Sequence, residues 1–275
     1  MQNNYNRNET YNLSTGKNAA GFLEKQHQLF FSHGINQLQK AQLKKEDCVW
    51  DVGCGTGSMT QYLAEYVGST GHVFALDVNQ EQLDVAKQRI EEAGLNNVTF
   101  ILGDITALSH VSLPPADVVY CRLTLMHLRN PDVAIRQMAA LLKPGGRLCL
   151  QESTMSTAMI FPYSPIIQNI FQALVSLGAY KGLDYDIGRK LSAICINSMT
   201  LNKVENYTTQ EQLTNSYAKQ LIISCINQCK VTGLESGIIT PEQFQLWEEE
   251  ISALPDSASF VFYCAEQAHI VATVQ

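Results

Sequence analysis

Between Cys48 and Gln151, short apolar runs alternate with amphipathic stretches, and this rhythm predicts the core of the fold. Runs of five or six residues at Cys48–Val52, His72–Asp77, Val98–Leu102, Asp117–Cys121 and Arg147–Gln151 read as strands. Ser58–Val67, Gln80–Ala93 and Val133–Leu142 read as helices. In the second of these, Leu83, Ala86, Ile90 and Ala93 share one face with charges opposite, and Gly94 supplies the stop. Pro131 lies just inside the start of the third, and Pro144-Gly145-Gly146 follows its end. Repeated strand–helix–strand units of this size predict an α/β fold, doubly wound, with a mostly parallel sheet covered by helices on both faces.

Outside this core the pattern is mainly helical. Lys17–Lys45 reads as one or two amphipathic helices. Glu152–Met199 reads as mostly helical with Pro162 and Pro165 at its head, Leu201–Thr208 as a strand, Thr209–Lys230 and Pro241–Leu254 as helices, and Ser259–Gln275 as strand-rich. No internal repeat and no linker interrupts the chain. The segments are therefore residues 1–45, a core at 46–152, a helical insertion at 153–200, and a final part at 201–275 that completes the same domain.

The first strand runs Val49-Trp50-Asp51-Val52 directly into Gly53-Cys54-Gly55-Thr56-Gly57. Glycines at alternate positions let the backbone turn sharply and bring a flat ligand against the main chain. Asp51 is placed to hold a ligand ammonium group, and the helix from Ser58 turns its unpaired first N–H groups to the same corner. A dinucleotide site is the main competitor. Its G-x-G-x-x-G spacing, counted from Gly53, requires glycine where this chain has Ser58. The actual pattern, D-x-G-x-G-x-G, resembles that of class I S-adenosylmethionine (SAM) methyltransferases.

In a doubly wound sheet, ligands bind beyond the carboxyl ends of the strands. The second strand ends in Asp77, with Val78 beside it; its carboxylate is suited to both hydroxyls of a ribose and would repel a 2′-phosphate. The plain alternative is a helix-capping acid. The third ends in Gly103-Asp104-Ile105, where Asp104 is suited to an adenine amine and Ile105 to the ring face, or where Asp104 merely turns the chain. The fourth leads through Tyr120-Cys121-Arg122-Leu123 to Met126-His127-Leu128 and Asn130-Pro131. Together with Lys143-Pro144-Gly145-Gly146 and Gln151-Glu152, this stretch looks like a group of bacterial small-molecule methyltransferases.

That resemblance covers residues 9 to 208 and implies a seven-stranded sheet with N-terminal lid helices and a late helical cap. It implies that Tyr11 and Gln26 close over the cofactor and that Arg122 lies near its methionine tail, and Cys121 is a further cofactor-binding candidate. The group usually carries Arg where this chain has Phe22. His127 is a candidate base, its ordinary pKa being near neutrality, or else a packed core histidine. Glu152 is a second catalytic candidate that orients an acceptor or caps a helix. Arg189 either meets an acidic acceptor group or pairs with Asp184 or Asp186. Met126, Met155, Phe161 and Tyr163 are candidates for an apolar acceptor site.

Composition narrows the partners. A net charge of −7 and the lack of a Lys/Arg-rich run argue against unspecific nucleic-acid binding. No apolar stretch is long enough for a membrane span and the Asn-rich start is not a signal peptide, so a cytoplasmic protein is expected. The eight cysteines form no C-x-x-C pair and read as free thiols, with no metal site. The reading is an enzyme that uses SAM, releases S-adenosylhomocysteine, and methylates an O, N or C nucleophile of a small, fairly apolar molecule. The alternatives are a non-catalytic SAM-binding protein, a nicotinamide-dependent oxidoreductase, and an arsenite methyltransferase built on Cys54, Cys121 and Cys195.

Overall fold

In the computed structural model, which describes residues 16–108, 113–214, 216–255 and 259–275, the apolar runs pair in register into one sheet. Its first strands are β1 (Cys48–Val52), β2 (His72–Asp77), β3 (Val98–Leu102), β4 (Ala116–Arg122) and β5 (Leu142–Thr154). β7 (Leu201–Thr209) and β10 (Glu266–Val274) complete seven strands in the order β3-β2-β1-β4-β5-β10-β7. β10 runs antiparallel to both of its neighbours, while β1 to β5 pair in parallel. The sheet is thus doubly wound and mostly parallel, and strand order reverses between β1 and β4, which opens a crevice at their carboxyl ends.

Alternation along the strands feeds two layers. Trp50, Val52, Val119, Cys121, Leu148 and Leu150 pack in one apolar cluster, and Val49, Val118, Tyr120 and Cys149 in another. The first layer takes Ala134, Ile135 and Met138 from α4 (Pro131–Ala140) and Leu191 and Cys195 from α6 (Leu191–Ser198). The second takes Leu38 from α1 (Gly16–Lys40) and Leu63, Ala64 and Val67 from α2 (Ser58–Val67). α3 (Gln80–Glu92) buries Leu83, Ala86 and Ile90, and the Asn79 side chain caps its start by accepting from the Gln82 N–H. Gly94, at φ +68°, takes the chain out of it in the left-handed region.

The later part of the chain builds a separate cluster. α5 (Pro165–Tyr180), α7 (Ser216–Glu235) and α8 (Pro241–Ala253) pack Phe171, Leu174, Ile222, Phe244 and Trp247 together. They rest on a small antiparallel sheet, β6 (Met159–Phe161), β9 (Val261–Tyr263) and β8 (Gln212–Leu213), in the order β6-β9-β8. The mostly helical expectation for Glu152–Met199 misses two strand segments, the extension of β5 through Thr154 and all of β6. β6 pairs with residues a hundred positions later, a partner that local periodicity does not reveal. For the same reason the helix expected from Thr209 starts at Ser216, because Thr209 ends β7 and Gln212 pairs with Tyr263.

Candidate functional site: a cavity at the switch point

The carboxyl ends of β1 to β4 and one face of α1 enclose a cavity of about 190 Å³. Among the residues proposed from sequence, Gln26, Asp51, Gly53, Gly55, Asp77, Val78, Asp104, Ile105, Arg122 and His127 line it. Tyr11 lies outside the described residues.

The three glycines serve three purposes. All have positive φ, +72° at Gly53, +53° at Gly55 and +78° at Gly57, where side chains are strained. A Cβ on Gly53 would stand 2.1 Å from the Thr124 Oγ1, so this glycine admits the β4 loop behind the turn. A Cβ on Gly57 would meet the Ala86 Cβ at 2.8 Å, so this glycine lets α3 approach and does not line the cavity. At Gly55 the nearest atom is Leu23 Cδ1 at 4.0 Å; here the backbone itself borders the space.

Two carboxylates brace this turn. Asp77 Oδ2 accepts from the Gly55 N–H and Oδ1 from the Asn79 N–H, both at 2.9 Å. Burial raises its pKa, with the backbone donors acting against that shift. Asp51 is buried and accepts from the Thr60 hydroxyl at 2.6 Å. Burial pushes its pKa up to about 6 despite that bond. Asp104 caps the turn at Ile105–Ala107 by accepting from both the N–H and the hydroxyl of Thr106 on Oδ1.

Arg122, at the end of β4, donates from Nη2 to His27 Nδ1 on α1 at 3.2 Å. Its Nη1 is buried with no hydrogen-bond partner among the described residues. Next in the chain, Leu123 holds a left-handed φ of +52°, fixed by its N–H donating to the Gln151 carbonyl at 2.8 Å. Glu152 then organises the following turn. Its Oε1 accepts from the N–H groups of Thr124 (2.9 Å) and Leu125 (2.7 Å), and its Oε2 from Met126 (3.3 Å). Burial lifts its pKa to about 7, the three donors opposing. Glu152 does not line the cavity, and its contacts are those of a cap.

His127 lines the cavity, packs edge-on against Tyr185 at 5.5 Å between ring centroids, and has its pKa driven down to about 4 by burial. A neutral imidazole of that acidity is a weak proton acceptor near neutral pH.

The remaining candidates fall elsewhere. Cys121 and Met126 are buried in the sheet core away from the cavity wall, Cys121 because β4 alternates its faces and Met126 because the turn at Leu125–His127 points it into the core. Met155 packs between the sheet and cap clusters. Phe161 is 65% exposed, since β6 turns Ile160 inward and its neighbours out, and Tyr163, just beyond β6, is 67% exposed. Arg189 is exposed, and Asp184 pairs with Lys190 at 2.6 Å instead. Cys54 packs in a different cluster from Cys121 and Cys195, and burial raises all three thiols, which is packing chemistry and not a thiolate set.

Sequence reasoning missed Leu23, His27, Thr124 and Leu128 in the wall. His27 sits one position after Gln26 on a helix whose facing surface only packing reveals. Thr124 was legible in principle: a glycine fixed behind a strand implies something pressed against it.

A doubly wound sheet with β10 antiparallel, a glycine turn after β1 and an acid after β2 defines a nucleoside-binding enzyme of the class I methyltransferase type. The family model described as a methyltransferase domain matches residues 43–219, and the chain belongs to that family. Its cofactor is accordingly SAM. It is 32% identical over 126 residues to an uncharacterised methyltransferase, C1B3.06c, of Schizosaccharomyces pombe, covering 44% of this chain and 45% of that protein. It is 30% identical over 175 residues to the ubiquinone/menaquinone biosynthesis C-methyltransferase UbiE of a Marinomonas species, covering 60% and 64%. The match therefore spans between about half and two thirds of these relatives. The solved YcgJ protein of Bacillus subtilis shares the fold, with a TM-score of 0.61 at 17% identity, over 89% of this chain and 99% of that one.

The cavity fits the cofactor. Gly55 leaves the backbone open, Asp77 offers a carboxylate, and Arg122 brings a cation whose buried Nη1 has no hydrogen-bond partner among the described residues.

Proposed function

We propose that this chain transfers a methyl group from SAM to an O, N or C nucleophile of a small, fairly apolar acceptor. The observation that carries the reading is the convergence on one cavity of Asp77, the open Gly55 backbone and the Arg122 guanidinium, whose buried Nη1 has no hydrogen-bond partner among the described residues. An ionised carboxylate has about four acceptor positions; the backbone N–H groups of Gly55, Asn79 and Val78 draw on those of Asp77, and the remaining capacity is assigned to the ribose hydroxyls. Both bonds from Thr106 fall on Asp104 Oδ1, so Oδ2 is assigned the adenine amine, with Ile105 and Val78 on the ring faces. Arg122 receives the methionyl carboxylate. Gln26 and Leu23 close the space from α1.

When bound, the sulfonium supplies an electrophilic methyl with a good leaving group. The protein's own task is alignment and exclusion of water, and positioning two reactants is worth up to about 7–11 kcal/mol of the barrier. Leu123, His127 and Leu128 form the wall where the acceptor enters in this reading. His127 shapes that wall as a neutral ring. The quinone-related name of the Marinomonas relative and the apolar wall together favour an aromatic or quinol-like acceptor.

Titration calorimetry with SAM, S-adenosylhomocysteine and NADH tests the cofactor site. Binding of both adenosyl ligands with silence from NADH is expected, and NADH binding alone would overturn the reading. A screen of phenols, quinols and amines, read by S-adenosylhomocysteine release, then tests the acceptor class.

A further inference from the structure

We propose that His27 is a positioning residue: from α1 it holds the Arg122 guanidinium at the cavity wall, where Arg122 meets the carboxylate of the cofactor's amino-acid end. The inference rests on the assignment of Arg122 to that carboxylate and adds to it a second function for α1, recognition in place of mere cover.

The guanidinium is planar and rigid, so fixing Nη2 also fixes the direction of Nη1. Nη2 is fixed by the 3.2 Å bond to His27 Nδ1, while Nη1 stays buried with no hydrogen-bond partner among the described residues. Arginine is always protonated and can only donate, so His27 must present a lone pair on Nδ1 and carry its proton on Nε2. Burial, and then the nearby Arg122 charge, lower the His27 pKa to about 4, and the ring is a neutral acceptor throughout the neutral range.

The ring itself is held firmly. Phe31 lies against it at 4.8 Å between centroids and meets Tyr62 of α2 edge-on at 5.3 Å. One turn before His27, Glu24 pairs with Arg89 of α3 at 2.9 Å. Further along α1, Gln37 donates to the Leu150 and Ile270 carbonyls at 2.7 and 2.9 Å. Positions 24, 27 and 31 share one helix face, so a helix anchored at both ends delivers His27 to Arg122. The placement of α1 and the binding of the carboxylate then strengthen one another, as linkage requires.

The test uses the full chain and two ligands, S-adenosylhomocysteine and 5′-methylthioadenosine, which keeps the adenosine thioether but lacks the amino-acid end. The wild type is expected to prefer the former, and Arg122→Met to abolish that preference. An unchanged preference in Arg122→Met would show that the assignment of Arg122 itself is wrong. His27→Phe keeps a ring without an acceptor; it is expected to weaken S-adenosylhomocysteine roughly tenfold and methylthioadenosine by less than about twofold. His27→Asn returns an acceptor oxygen near the place of Nδ1 and is expected to recover most of the loss. Equal weakening of both ligands in His27→Phe, no weakening of either, or no recovery in His27→Asn overturns the proposal while leaving Arg122 in place.

Discussion

The carboxyl ends of β1, β2 and β4 and the turn after β3 place Asp51, Asp77, Arg122 and Asp104 around one cavity. Beyond β5 the chain instead builds a second apolar cluster on its own three-stranded sheet. None of the acceptor-site candidates from that half, Met155, Phe161, Tyr163 or Arg189, lines the cavity. The contrast follows from how each half is held. Most cofactor-side groups sit at strand ends, where register places them and partners such as the Gly55 and Asn79 N–H groups and the Thr60 hydroxyl hold them; among the described residues, Arg122 alone of the four is also held from α1. The cap is fixed by packing among distant segments, and which of its side chains face a ligand depends on that packing.

The comparison can be broken most forcefully at Trp247, fully buried in the cap cluster. Trp247→Ala should cost about 3–5 kcal/mol of stability by urea unfolding. If the two clusters are energetically separate, the folded variant keeps SAM affinity to within about threefold, under 1 kcal/mol. A parallel collapse of affinity would mean that the cap shapes the cofactor site.

Glu152 tests the same division through pH. Its folded pKa of about 7 lies above the ordinary 4.5, so the unfolded chain ionises first and stability falls as pH rises between those values. Glu152→Gln removes this loss. Relative to the variant, the wild type should lose about 3 kcal/mol between about pH 4 and pH 8, read as urea midpoints. A flat difference would show that the three N–H bonds hold the carboxylate ionised.

At the cofactor turn, Asp77→Ala should weaken SAM binding by about 1.5–3 kcal/mol by calorimetry. Wild-type affinity would remove Asp77 from the ribose. The smallest effect belongs to the outer face of the cap sheet. Phe161→Ser, at a side chain 65% exposed, should change stability by no more than about 0.5 kcal/mol and leave SAM affinity as it was. A selective fall in acceptor turnover would return Phe161 to the acceptor site.

The first three strands and α2 were legible residue for residue, because strand alternation and the glycine turn are local signals. Gln26 was found through family resemblance, which carries tertiary information that periodicity lacks. For Glu152 the sequence left two readings, orienting an acceptor or capping, and the choice between them was not legible, because its partners at 124 to 126 are brought under β5 only when β4 and β5 pair. His27 was not legible, since its partner lies ninety-five positions away.

By itself, then, the sequence determined a parallel α/β core, a glycine turn after β1 and acids at the ends of β2 and β3. Each of these follows from short-range physics: which φ angles a residue tolerates, which face an alternating strand buries, and where a helix can stop. Tertiary structure decided that Gly53 yields to Thr124 and Gly57 to Ala86, that β6 pairs with β9, and that Arg122, in the cavity wall, bonds His27 of α1. Those outcomes depend on which distant groups are buried together. Desolvation fixes that choice only once the chain has closed, since a polar group must find its partner where water no longer reaches.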